Sequence, residues 1–351
     1  MSVIMVSVPP VLSYRHNSCG KRSAASDHHQ ETERSSSDVC MRNRTPGKIC
    51  EHVWYLGREE SGIYLVEGST CSMVISGGMS YIAPDVLTQL REFAINEKKI
   101  HQLLILHSHF DHVGLVPLFN KRLEDLTVYA SRHAWEALHD AAKIQHINAL
   151  NAMGMKQVNA PFDLAQHDLL WHTDLEGITV SEGDCIDLGG IHVEILETPG
   201  HSECSISAYI PQIKALFPSD SGGIPFKDGI IPSGNWNYTE FQNSLRKLNS
   251  LDVEYLCADH YGYVTGAEAH GFISRTIQTS EQFCTMIQAV YRRAGSVEKT
   301  VNRMIRYTLA LHKEYFLSPD ILYEVYLSMV QHIICEMGAG GPRSTAEQST
   351  L

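Results

Sequence analysis

The chain has 351 residues, 43% hydrophobic and 19% charged, and 40 acidic against 28 basic side chains leave a formal net charge of −12. That length buries a sizeable core, as two domains or one large domain with appendages. The acidic balance and the lack of any Lys/Arg cluster argue against a nucleic-acid partner, no stretch approaches the roughly 18 apolar residues of a membrane span, and nine Cys without a C-x-x-C spacing fit free thiols in a reducing cytoplasm rather than a structural zinc site.

Residues 1–48 are polar, Ser-rich and without apolar periodicity, the pattern of a disordered extension. The opening 1–12 lacks a basic region ahead of it and is interrupted by Pro9-Pro10, so it makes a poor signal peptide, and Met41 is an alternative start of translation. From 49 to 266 the texture is that of a compact mixed domain. Runs at 52–56, 62–67 and 71–76, separated by Gly, Ser and charged residues, predict an antiparallel meander closed by Gly77-Gly78. Pro84 opens a helix with Val86, Leu87, Leu90, Phe93 and Ala94 on one face. The apolar run 103–106 reads as a strand buried on both faces and ends at His107-Ser108-His109-Phe110-Asp111-His112.

A short helix over 113–119, a strand over 127–130 and a longer helix over 132–155, broken at Gly154, follow. Trp135, Leu138, Ile144, Ile147 and Leu150 give the longer helix an apolar stripe that is either core or the wall of a pocket, with Asn148, Asn151, Met153 and Met155 making the wall mixed. The second half repeats the alternation, with strands at 178–180, 185–188, 191–196, 205–210, 214–218 and 253–258 and a helix at 237–248. Strands and helices distributed in this way argue for two packed sheets with helices outside. Helices are expected at 267–294, 297–315 and 319–337, and 338–351 reads as a frayed tail.

Side chains two apart on an extended segment point the same way, so His107 and His109 can reach one metal while the turn carries Asp111 and His112 toward a second. Three further strands end on the same chemistry: Thr198-Pro199-Gly200-His201, Phe217-Pro218-Ser219-Asp220 and Cys257-Ala258-Asp259-His260. A lone His at a strand end is usually structural, but four such endings together point to one site.

On these motifs, from about 53 to 262, the chain resembles the metallo-β-lactamase-fold hydrolases. The resemblance implies an α+β, four-layer αββα sandwich with an α-helical C-terminal extension. It implies that His107, His109 and His201 hold one divalent metal, that Asp111, His112 and His260 hold a second, and that Asp220 bridges them. Zinc is the first expectation, and iron or manganese also suit His and Asp donors. His109 stands where oxygen-reducing flavodiiron relatives carry Glu, which favours hydrolysis by a metal-bound hydroxide, with Asp111 and Asp220 as the catalytic carboxylates. Asp259 either supports a ligating His or is a solvated carboxylate, and Tyr261 and Tyr263 either pack or face an oxyanion.

Within the family, the helical tail, the insertion near 132–155 and the His201-Ser202-Glu203 turn are more similar to the quinolone-signal response thioesterase, which acts on 2-aminobenzoylacetyl-CoA, than to glyoxalase II. Glyoxalase II carries Thr-x-Gly after the third His, and acyl-homoserine lactonases place a Tyr shortly after the bridging Asp, where this chain has Ser221-Gly222-Gly223. The expected substrate is therefore a small-molecule thioester or related activated ester. A lactonase, or a regulatory interaction protein that keeps the metal site, is the alternative, and the C-terminal helices serve either as a substrate cap or as a homodimer face.

Overall fold

The computed structural model describes residues 42–162, 164–165, 167–311 and 317–339. The expected N-terminal extension and C-terminal tail lie outside these residues except for 42–48 and 338–339. At the first of those edges the expectation is corrected. Arg42–Asn43 (β1) pairs antiparallel with Val264 and Tyr263, and Gly47–Cys50 (β2) pairs with the next strand, so ordered structure begins ahead of residue 49. The partners of β1 lie more than two hundred residues away, and no local periodicity announces such a pairing. The Arg42 guanidinium fastens it by donating to Glu268 at 2.8 Å and to the Gly229 carbonyl at 2.7 Å.

Val53–Arg58 (β3), Ser61–Glu67 (β4) and Ser72–Ile75 (β5) form the antiparallel meander read from the sequence, and β2 adds a fourth strand to it. Helix Ala83–Glu92 (α1) crosses to Ile100–Leu104 (β6), and Thr127–Ser131 (β7) and Ile178–Val180 (β8) extend the sheet in parallel. Helices Val116–Arg122 (α2), Arg132–Leu138 (α3) and Ala141–Gln157 (α4) connect them. The break expected at Gly154 falls instead at His139-Asp140, and Gly154 lies inside α4. The reason is capping: the Asp140 carboxylate accepts from the Ala142 and Lys143 amides, ending one helix and starting the next.

The second sheet contains Cys185–Asp187 (β9), His192–Glu197 (β10), Ile206–Ile210 (β11) and Ala215–Phe217 (β12). A separate hairpin, Ile224–Phe226 (β13) with Gly229–Ile231 (β14), precedes helix Tyr238–Leu248 (α5). Tyr255–Cys257 (β15) and Tyr263–Thr265 (β16) complete the sheet in the order β1-β16-β15-β12-β11-β10-β9. Helices Gly266–Ala294 (α6), Val297–Leu311 (α7) and Pro319–Ala339 (α8) follow. No described helix is long and apolar enough to cross a membrane.

The alternation of β4 shows why its sequence is continuously apolar. Tyr64 and Val66 face the second sheet, together with Leu104, Ile195 and Phe217, whereas Ile63 and Leu65 face the helical layer with Val86 and Phe119. Both faces of the sheet are covered, so neither can be polar. Helices α5 and α6 cover the outer face of the second sheet through Phe241, Leu245 and Phe272. These contacts make the αββα sandwich. Val301, Met304 and Ile305 of α7 meet Leu322, Tyr326 and Val330 of α8 in a further core.

Leu104 is fully buried between the sheets. Leu104→Ala is expected to lower stability by about 2–5 kcal/mol, read as a shift in the urea unfolding midpoint at unchanged slope. A shift below a few tenths of a kcal/mol would contradict the two-sheet packing.

Candidate metal centre

All seven side chains singled out in the sequence come together. His107 and His109 follow β6, with Asp111 and His112 on a short 3-10 turn, His201 follows β10, Asp220 follows β12 and His260 follows β15. One edge of the paired sheets therefore delivers every donor. The donor atoms fall into three overlapping groups, His107/His109/His201, His107/His112/Asp220 and Asp111/His112/His260, with the atoms of each group within 4.8 Å of one another. Asp220 reaches both ends of the array, its Oδ2 lying 3.4 Å from His201 Nε2 and 3.5 Å from His112 Nε2.

The turn before His201 depends on Gly200. Its φ is +131°, and an added Cβ would stand 2.2 Å from the Phe241 amide nitrogen, so only glycine lets α5 approach so closely.

The rings of His201, His260, His112 and His107 are held from behind. His201 Nδ1 donates to the Ser233 carbonyl at 2.8 Å, His260 Nδ1 to the Glu60 carbonyl at 2.7 Å and His112 Nδ1 to Asp259 Oδ2 at 2.8 Å. Asp259 Oδ2 also accepts from Ser219 Oγ at 2.6 Å and Ser76 Oγ at 3.0 Å, and Ser219 Oγ lies 3.2 Å from His107 Nδ1. Asp259 is thus a buried support for the ring of His112, not a solvated carboxylate. With the Nδ1 protons spent in this way, lone pairs face inward. His260 Nε2 and His112 Nε2 are 3.2 Å apart, and His201 Nε2 and His109 Nδ1 are 2.9 Å apart. His107 Nε2 is buried with no hydrogen-bond partner among the described residues.

Inward-facing ring nitrogens beside buried carboxylates, one of the nitrogens without a partner, call for positive charge as protons or as metal, and a set of imidazoles and carboxylates in this arrangement fits divalent cations. The electrostatics agree. Burial alone would push the Asp111 carboxyl up, but His112 and His260 outweigh it and hold it at about 2. Asp220 is held well below the usual carboxylate range by His112, His260 and His201, again against the effect of burial. Burial disfavours a charged His112, yet Asp111 and Asp220 raise its imidazole well above the ordinary value, so without a cation this ring takes up a proton that a bound metal would displace. His107, buried and flanked by other imidazoles, is pushed well down and stays neutral. The cluster therefore holds ionised carboxylates and attracts cations.

The two tyrosines after His260 pack. Tyr261 stacks edge-on against Phe226 beneath the Arg44 guanidinium, and Tyr263 lies in the core between the sheets. Asn148 and Asn151 do not face the pocket either. Asn151 bonds the Phe110 carbonyl and the Ser80 amide, fastening α4 to the metal-motif loop, while Asn148 holds the backbone of Trp171. The supports Ser76, Ser219 and Ser233 escape a reading of the sequence, because a lone Ser carries no signal until the fold sets it behind a ring.

The sequence profile of the Metallo-beta-lactamase superfamily matches residues 56–260. The chain belongs to this superfamily, whose fold implies divalent metal ions and hydrolase chemistry. A metallo-beta-lactamase fold-containing protein of Sulfurisphaera tokodaii is 24% identical over 217 residues, 59% of this chain and 75% of that protein. A hydroxyacylglutathione hydrolase of Rhodopseudomonas palustris is 29% identical over 166 residues, 46% of this chain and 49% of that enzyme. Among solved structures, a metallo-beta-lactamase family protein of Thermus thermophilus superposes with a TM-score of 0.60 at 15% identity, covering 83% of this chain and 96% of that one.

Because Asp259 orients His112 directly and His107 through Ser219, Asp259→Ala is expected to weaken zinc binding by about 10–100-fold while the far-UV circular dichroism stays native. Zinc affinity equal to that of the unaltered protein in a chelator competition would contradict that support role.

Proposed function

We propose that this protein is a dinuclear metal-dependent hydrolase of thioesters or related activated esters. The observation that carries the reading is the position of the donor cluster. His109, Asp111, His201 and Asp220 form part of the wall of a cavity of about 700 Å³ that is also lined by α4, α8 and the hairpin region at 224–236.

In this reading His107, His109 and His201 would hold one cation and Asp111, His112 and His260 the other, with Asp220 available to both. Two divalent ions bound there, zinc first and iron or manganese as compatible substitutes, would supply an acidified water and polarisation of the carbonyl. The chain's own groups do the rest. Asp111, ionised at neutral pH, orients the attacking water. The supports behind His112, His201 and His260 keep the donor geometry fixed, so little reorganisation is needed during reaction. A thiolate leaves without strong acid assistance, which suits a site where no dedicated general acid is evident among the described residues.

Two further observations favour a thioester. Relatives named hydroxyacylglutathione hydrolase act, by that name, on an acylglutathione. The insertion helix and the C-terminal helix, two of the sequence features on which the similarity to the quinolone-signal response thioesterase rests, both line the cavity, which favours the substrate-cap role of α8 over a purely regulatory tail.

The experiment is elemental analysis of the purified protein beside a panel of acyl thioesters and lactones. Close to two metals per chain with turnover of thioesters is the expected outcome, and His109→Ala or Asp220→Ala should reduce turnover to background while the fold is retained. Full metal loading with no turnover of any thioester or lactone would overturn the hydrolase assignment. Turnover confined to lactones would move the substrate class to the cyclic ester.

A further inference from the structure

The cavity is graded from floor to rim. At the floor are the metal-motif side chains. The walls are mostly apolar, with Ile147 and Leu150 of α4 and Ile321, Leu322, Val325 and Met329 of α8 lining the space, all buried or half-buried, interrupted by polar positions such as Asn235, Thr308 and Ser328. Charge appears only at exposed lining positions outside the donor set, on Lys143, Glu203 and Glu324.

The apolar wall is built in. On α4, Lys143, His146, Ile147 and Leu150 follow the i, i+3, i+4, i+7 spacing of one helical face, so this face turns toward the cavity, with Ile147 and Leu150 also packing on the core that holds Ile144 and Met155. On α8, Ile321, Val325 and Met329 recur every four residues. The angle of α8 is held by its packing on α7 and by a buried hydrogen bond between Tyr326 and Thr308.

From this gradient we propose that the substrate's acyl group is large and apolar, lying between α4 and α8, with its polar carrier leaving across the charged rim. The inference rests on the hydrolase reading and deepens it. A pocket of about 700 Å³ is of the size that encloses a drug-sized group. An acetyl group would leave most of the apolar wall wet, whereas a long alkyl or aromatic acyl group would cover it. Each methylene brought out of water against this wall should tighten binding by about fourfold until the space is filled.

The test uses the carboxylic acid products, so that binding is read without turnover. The zinc-loaded protein is titrated calorimetrically with straight-chain acids from butanoic to decanoic, and the matching acyl-CoA thioesters are assayed in parallel. Affinity is expected to rise by about fourfold per methylene over the first several members. Val325→Trp and, independently, Leu150→Trp should reduce the ratio of decanoic to butanoic affinity by about tenfold or more, a ratio that loss of folded protein would not change. An affinity independent of chain length, or a ratio untouched in both variants, would overturn the inference. The failures are distinguishable: graded binding without thioester turnover leaves the apolar subsite standing and removes the hydrolase reading, whereas turnover with flat binding does the reverse.

Discussion

Buried lone pairs directed at one another are unfavourable unless a positive charge stands among them, and this constraint governs the centre of the molecule. The rings of His112 and His260 approach to 3.2 Å between Nε2 atoms, with Asp111 and Asp220 less than 4 Å away. The cores on either side are apolar and do not neutralise that arrangement. A divalent cation resolves it, because imidazole nitrogens and carboxylate oxygens become ligands rather than competitors. The apolar sandwich supplies the rigidity that keeps such a cluster from relaxing apart.

That rigidity is transmitted through a small number of polar contacts in otherwise apolar surroundings. Asp259 collects His112, Ser219 and Ser76, and Ser219 extends the network to His107. One carboxylate therefore steadies donors in different groups of the array. Ser221 donates to the Thr198 carbonyl at 2.8 Å, tying the turn that carries His201 to the turn that carries Asp220. Trp171 Nε1 donates to the Val113 carbonyl at 2.7 Å just after the hexapeptide. Buried polar groups are tolerated here because nearly all are paired, and the pairing fixes ring orientations that apolar packing alone would leave free.

The sandwich and the helical cap divide the work. The sheets place the donors, whereas α4 and α8 line the cavity beside them. Helix α4 is fastened to the metal-motif loop through Asn151, so the wall of the cavity and the donors beneath it are parts of one structure. Helix α8 is held by α7 on one side and lends its other side to the cavity.

Local chemistry was legible in the sequence wherever neighbours in the chain are neighbours in space. The hexapeptide after an apolar run, the three other strand ends with His or Asp, the continuous apolar runs of doubly covered strands and the helical character of the tail all follow from period and composition. The misplaced break in the helix over 132–155 shows where local reading slips: Gly154 looked like the breaker, but the side-chain cap at Asp140 has the stronger claim on backbone amides. Pairing of residues 42–43 with 263–264, the gathering of serines behind the ligating rings, the packing of Tyr261 and Tyr263, and the meeting of α8 with α4 over the donors were decided by tertiary structure alone. The physical reason is that each joins segments far apart in the chain, and contacts between such segments leave no periodic trace in either one. The sequence by itself determined which side chains could bind metal and where strands would end, and only the fold determined which of them face one another and what covers them.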